Sequence, residues 1–579
     1  MRRDGASVVV AFPPKLMSSA RSGVAMGTDF AREVINMYAS AEGAGSKRNG
    51  VVSVGDVLPN DQLVVAVFSY LKAGTGLQVL VVGDAGKVYL LDTGVWTEVY
   101  SGLNVLGVPR AVVFGGRLVM VNGFDPMLQW DGTVWSEVTE FVPDVADGLT
   151  YVNATTFTIA SDMAFYAVGT PVRVTLSGGD ILAQVTSVSD AGSHISVVLD
   201  AAVLDVTLSG VAFEAKPPVM AYICAAHDRL WGFGKGPLTY ALSSDADRTR
   251  VYYSYGVNDP SLWHDTEGVV PSINLADKSG GADALMAMAV VTVFLLRNTT
   301  QVWVGRTPGI DGDFSWQKTM PVGCVHGSWV VPLPNDIAFV SRSGVRTLSR
   351  SLTTEQLDVS DVGSEVDPTV AAALRMVAAD DVLYRRCGGM ICEAQNWFGL
   401  CLPDKTLVFQ VGVAGRGWSV FDGAFDAVSA CHSAPDGGVY VAKDGRVFRY
   451  EDTVYADDGV AFLTRWWTPW MTLGGKGKRW ANRYVQVISD RGVPMEMTLR
   501  RYRNLDDGDG FVLPVLAQSR PDYWDNADWD EALFDNVNPS PDVVRDHFVA
   551  DEVAFALESF NTLGPLTVLG LKVFGVGEK

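Results

Sequence analysis

A strand-turn-strand unit recurs through most of this chain. LQVLVVGDAGKVYLLDTGVW, residues 77–96, holds two runs rich in Val, Leu and Tyr, hinged at Asp84-Ala85-Gly86 and stopped at Asp92-Thr93-Gly94. AVVFGGRLVMVNGFDPMLQWDGTVW at 111–135 and PDGGVYVAKDGRVFRY at 435–450 repeat the grammar. β-Branched and aromatic runs separated by Gly and Asp, which tolerate the positive φ of a tight hairpin, make antiparallel meanders. Meanders returning every ~40 to 50 residues predict propeller blades. The expected fold class is therefore all-β: a β-propeller, with departures from the rhythm marking other units.

Composition supports a packed, turn-rich protein, since 48% of residues are hydrophobic and 59 are Gly. The 45 basic and 66 acidic side chains leave a formal charge of −21. That argues against a protein that holds nucleic acid by neutralising phosphates. Six cysteines in 579 residues are too sparse for a disulfide framework, so reduced thiols are expected. The apolar run after Arg2 and Arg3 meets Pro13 and Pro14 too early for a signal sequence. The longest apolar stretch, 284–296, is shorter than the ~20 residues a membrane span needs, so a soluble chain without membrane insertion is expected.

The rhythm divides the chain. Residues 1–50 read as an extended lead-in ending in a turn at Lys47 to Gly50. Residues 51–147 and 216–457 carry the propeller meanders. Residues 148–215 contain short strands with Ser, Gly and Asp turns and no tryptophan, and predict an inserted small β-barrel, a closure that removes open sheet edges. Residues 458–579 have longer strands with few tight hairpins and predict a separate C-terminal β-sandwich. One helix is expected at 368–379, capped by Asp367, with Val370, Leu374 and Val377 on one face.

No strong catalytic motif is present, and neither an enzyme nor a cofactor is expected. Cys387, Cys392 and Cys401, with Cys431-His432 beyond, could suggest zinc, but they lack two closely spaced ligand pairs, so no metal site is assigned. The six histidines are scattered, and none lies in HExxH or beside GxSxG. Paired carboxylates such as Asp380-Asp381 and Asp457-Asp458 read as solvated turns, and the Asp-box turns of propeller sialidases are missing. PDYWDNADWDEALFDN, residues 521–536, places Tyr523, Trp524, Trp529 and Phe534 among carboxylates. These four are candidate interface residues, because aromatics dominate buried interface centres. Sugar stacking is the other use open to them. The basic run Lys476, Lys478, Arg479, Arg483, Arg500, Arg501 and Arg503 is expected to pair with the acidic stretch 522–552.

Taken together, Asn36 to Tyr38, the turn Lys47 to Gly50, the meander propeller, the small barrel insert, GCVHGSW with NDIAFVSRSGVRTLSR (323–350) and GPLTVLGL near the C-terminus resemble the β-propeller tail proteins of short-tailed bacteriophages. Where those proteins usually show Arg-Pro-Gly, this chain has Arg48-Asn49-Gly50. The resemblance implies a structural virion protein, made in the host cytoplasm and built into the tail. It implies a homo-oligomeric ring, expected as a hexamer, that forms a nozzle below the portal and adaptor and contacts tail fibres or spikes. Double-stranded DNA would be retained and then conducted without specific binding. An acidic wall fits such a conduit, because it repels a polyanion. The alternative is a carbohydrate- or receptor-binding propeller on the virion surface that uses the Trp524 and Trp529 segment.

Overall fold

The structure, a computed structural model, describes residues 6–578 except 23–25, 40–42, 73, 75, 145, 147, 191, 237–248, 266–267, 276–281, 289–290, 306–313, 334–335, 351–356, 412–415, 474–478, 492–494, 518–541 and 563. The meanders form seven four-stranded antiparallel blades, at 64–101, 110–137, 222–274, 282–320, 330–361, 388–421 and 430–451. The seventh has only three strands from its own stretch. Its fourth is Gly50–Ser53, which pairs with Arg446–Glu451 and so fastens the N-terminal side of the chain to the last blade. The first strands of successive blades lie side by side, except that the fourth blade meets the fifth through the turn Gly327–Trp329, and the seventh lies against the first, so the ring is closed. The chain is an all-β propeller.

Each blade packs its strand faces against its neighbours. Trp130 and Trp231 are fully enclosed, and Trp96, Trp135 and Trp418 are buried, whereas Trp303 is half-buried. Histidines scattered in sequence become ties between blades. His432 Nε2 lies 2.7 Å from Ser69 Oγ, across the seam between the seventh and first blades. Burial pushes the His432 imidazole down to about 4, so it is neutral there. His227 Nε2 reaches Thr292 Oγ1 at 2.7 Å in the same way, joining the third and fourth blades.

One end of the ring is crossed by chain. Helix α1 (Asp367–Ala379) and a second helix, α2 (Asp381–Arg385), connect the fifth and sixth blades. Val370, Leu374 and Val377 are buried as their spacing predicted, but Asp367 begins α1 rather than capping it. Its carboxylate instead lies 3.5 Å from Arg346. Tyr384 of α2 donates its hydroxyl to the Val325 carbonyl at 2.8 Å. Val382, Arg385 and Arg386 share a cavity of about 170 Å³ with Leu63 to Val65 of the first blade and Ser429 before the seventh. Arg110 of the second blade donates to Ser328 Oγ at 3.2 Å, beyond the fourth. The Arg110–Ser328 contact reaches across the ring.

The insert begins earlier than its composition indicated. Glu140–Pro143 pairs with Gly210–Ala215, so the inserted sheet starts at residue 140 rather than 148. Seven strands wrap around a core of their own that includes Phe157, Tyr166, Val172, Val197 and Phe213. Tyr166 donates to Asp144 Oδ2 at 2.8 Å, and burial raises its hydroxyl well above the ordinary range. Glu140 ties the insert to the third blade by accepting the Trp263 and His264 backbone N–H groups at 2.9 and 2.8 Å.

The two ends of the chain are not the separate units that 1–50 and 458–579 suggest. Glu33–Ile35 bridges the outer strand of the sixth blade to Thr464–Trp467, and the sheet continues through Val553–Ser559, Met495–Arg503 and Asp506–Ala517. A second sheet joins Ala6–Ala11, Met37–Ala39 and Gly45–Lys47 to Leu566–Glu578, Arg479–Arg491 and Asp542–Ala550. A single apolar core runs from both sheets into α1 and the fifth blade. The sandwich is thus built from both termini on an extension of the sixth blade. Strands of three residues with partners at the other end of the chain carry too little periodicity to read. Among the described residues no helix is long and apolar enough to cross a membrane.

Candidate functional site

The turn at Lys47 to Gly50 sits where the lead-in, the sixth and seventh blades and the C-terminal sandwich meet. Asn36 precedes it with a φ of 53°, a left-handed conformation that Asn tolerates better than most residues. Arg48 is fully buried and all five of its N–H groups are used. Its Nε donates to Asn36 Oδ1 at 2.7 Å. Nη1 donates to the Asn49 carbonyl and Asp457 Oδ1, both at 2.8 Å. Nη2 donates to the Asp422 carbonyl at 2.8 Å and Asp457 Oδ2 at 2.7 Å. The guanidinium also stacks on Phe462, 3.7 Å from the ring centre. A buried ion pair is tolerable only when its remaining donors are satisfied, and here they are.

The neighbours of Arg48 complete a clasp. Asn36 Nδ2 donates to the Leu463 carbonyl at 2.7 Å and to the Asp422 carboxylate. Burial raises the Asp422 carboxyl, with Asn36 and Arg48 opposing. Lys47 is buried, and its ammonium donates to the Tyr455 carbonyl at 2.8 Å and to that of Asn561. Desolvation, with Arg48 adding, pushes the ammonium down to about 8. Asn49 uses the N–H that a proline would lack, donating to Tyr450 Oη at 3.3 Å. Gly50 passes so close to the linker that a Cβ would lie 1.9 Å from the Ala456 carbonyl oxygen. The Asn-x-Tyr and Lys-Arg-x-Gly residues, which read only as a lead-in and a turn, therefore fasten four chain segments.

A groove of about 540 Å³ borders the clasp, lined by Asp422, Lys443, Asp444, Arg446, Asp458 and Phe462 among others. Its polar groups serve the fold: Lys443 donates to the Gly423 carbonyl at 3.0 Å, and Asp458 accepts from Ser53 Oγ at 2.8 Å. The structure also brings Cys387, Cys401 and Cys431 together between the sixth and seventh blades. Gly388 pairs with Cys401, and the Cys431 sulfur fills the space above Gly388. Burial raises the Cys387 thiol, and the Cys401 hydrogen bond together with burial raises that of Cys431. Protonated buried thiols are poor nucleophiles and poor ligands. Among the described residues no group of three His, Cys, Asp or Glu side chains is arranged to hold a metal. The Ser69–His432 pair resembles a nucleophile and base, but an imidazole near 4 is a weak base.

The candidate interface residues Tyr523, Trp524, Trp529 and Phe534 lie outside the described residues, as do Lys476 and Lys478. Of the basic run, Arg501 pairs with Asp546 inside the sandwich and Arg479 lies 3.5 Å from Asp551. Arg500 turns instead to Glu558, at 2.8 Å. The exposed array that Arg32 forms with Asp507 and the Trp467 ring belongs to the same sheet and gave no sequence signal.

No family model and no curated protein matches the chain. Solved structures similar to it include BamB from Moraxella catarrhalis, at 9% identity over 72% of this chain and 94% of that one, with a TM-score of 0.33. YCF48 from Cyanidioschyzon merolae matches at 11% identity over 69% and 99%, with a TM-score of 0.34. A streptogramin B lyase matches at 9% identity over 69% and 96%, with a TM-score of 0.31.

Proposed function

We propose that this chain is a structural subunit of a short-tailed bacteriophage tail, forming a nozzle-like ring that retains packaged DNA and conducts it during ejection. The observation that carries the reading is the clasp. Asn36, Arg48 and Gly50, on which the resemblance to phage propellers rests, hold the two ends of the chain and the ring closure in one buried network. A protein that must keep its shape under the load of packaged DNA gains from such a fastening. With Arg110 and Ser328 in contact across the ring, the propeller serves as a scaffold, and the conduit would run between subunits rather than through each one. A net charge of −21 suits a wall past which DNA slides.

The test is proteomic and genetic. Mass spectrometry of purified virions should find the chain at a few copies per portal, and particles made without it should lose their DNA. Virions that lack the chain, or particles that keep their DNA and infect without it, would overturn the reading.

A further inference from the structure

The outer face of the second sandwich sheet departs from the acidic character of the chain. Cross-strand register places Arg545, Tyr484 and Phe574 in one row, with Gln486, Lys572 and Val9 in the next. The Tyr484 and Phe574 rings stack at 4.2 Å, and the Lys572 ammonium lies 4.9 Å from the Phe574 ring centre. Arg483 and Arg545 are exposed, and Val9 is 58% exposed. The acidic Asp546 of these strands turns inward to Arg501. A half-buried aromatic pair flanked by cations is the composition of an interface centre.

The insert has the opposite character. Residues 140–215 hold nine carboxylates and one arginine, a net of −8. The insert also leaves Val168, Leu182 and Val206 exposed, at 69%, 63% and 83%. The fold keeps the two surfaces apart within one molecule. The insert leaves the ring between the second and third blades, while the sandwich extends the sixth, half a turn of a seven-bladed ring away.

We infer that the acidic insert of one copy docks on the Tyr484–Phe574 face of the next. Complementary patches on opposite sides of a subunit make a head-to-tail contact, the kind that closes rings. This gives the subunit contact of the proposed ring, and rests on that reading for its setting but not for its chemistry.

Sedimentation velocity of the full chain tests it. The wild type should form concentration-dependent oligomers in about 50 mM salt that dissociate near about 500 mM, as screening removes the attraction. Two variants break opposite sides of the contact. One is Arg545→Glu with Lys572→Glu. The other is Asp190→Asn, Asp200→Asn and Asp205→Asn, in which the amide oxygens can still accept from the backbone of Gly192, Gln184 and Thr207. Each variant alone should be monomeric, with an unchanged melt. A mixture of the two retains one good face and one good insert, and should give heterodimers and nothing larger. If the charge reversal misfolds, Arg545→Gln with Lys572→Gln takes its place.

A wild type that stays monomeric at low salt, or a mixture that does, overturns the proposal. So does an insert variant that assembles like the wild type, because the face would then serve another occupant, such as the acidic segment 521–536 or a nucleic acid. Virions without the chain would sink the nozzle reading and leave this contact standing. A virion ring whose contacts do not join insert to sheet would do the reverse.

Discussion

The insert and the N-terminal lead-in are both departures from the blade rhythm, yet they are attached in opposite ways. Residues 140–215 close on a core of their own and are tied to the third blade by Glu140. Residues 6–50 have no separate core: their strands lie in sheets completed by the C-terminal region, and their side chains join the core that spans the sandwich, α1 and the fifth blade. A unit whose partners are local can be added or removed as a block. A unit whose partners lie hundreds of residues away can only be part of the whole.

The sharpest way to break this contrast is at Arg48. Arg48→Met leaves Asp457 buried without its cation and should cost about 3 to 5 kcal/mol, the usual penalty for breaking a buried pair from one side. Denaturant unfolding should show a lower midpoint with an unchanged slope. Arg48→Lys should recover little of the loss, because an ammonium cannot reproduce a five-donor fork. Next in size is Gly50→Ala. With a Cβ only 1.9 Å from the Ala456 carbonyl oxygen, the linker must shift, and overpacking of this kind costs about 1 to 3 kcal/mol.

Replacing 141–214 with a short Gly-Ser linker, with Glu140 kept for Trp263 and His264, should leave the remainder with one cooperative melt. Loss of that melt would show the insert to be as integrated as the lead-in. The smallest effect expected is at the blade seam. His432 is held neutral, down to about 4 against an ordinary 6.5, so its folded pKa is depressed and the unfolded chain binds the extra proton between those values. Its contribution to stability is complete above pH ~6.5 and declines as pH falls towards ~4. His432→Gln should flatten the pH dependence of stability in that window, and an unchanged slope would show that the seam does not depend on the neutral imidazole.

The same contrast explains what was legible in the sequence. Hairpins are local, so turns such as Asp84-Ala85-Gly86, where Gly86 takes a φ of 73°, signal blades directly. Glu33–Ile35, three residues wedged between the sixth blade and Thr464–Trp467, has no period to detect. Arg48 could be noticed as part of a turn, but its partner Asp457 stands 409 positions later, in a pair of aspartates that read as a solvated turn. The start of the insert was missed for a similar reason: Glu140–Pro143 resembles the strands before it, and only pairing with Gly210–Ala215 assigns it to the insert.

Electron cryomicroscopy of the intact tail tests the central claim most directly. The proposed function predicts a ring of this chain below the portal, with DNA passing between subunits along an acidic wall and each insert seated on the Tyr484–Phe574 face of its neighbour. A tail with no such ring, or DNA density threading the propeller bores themselves, would contradict it.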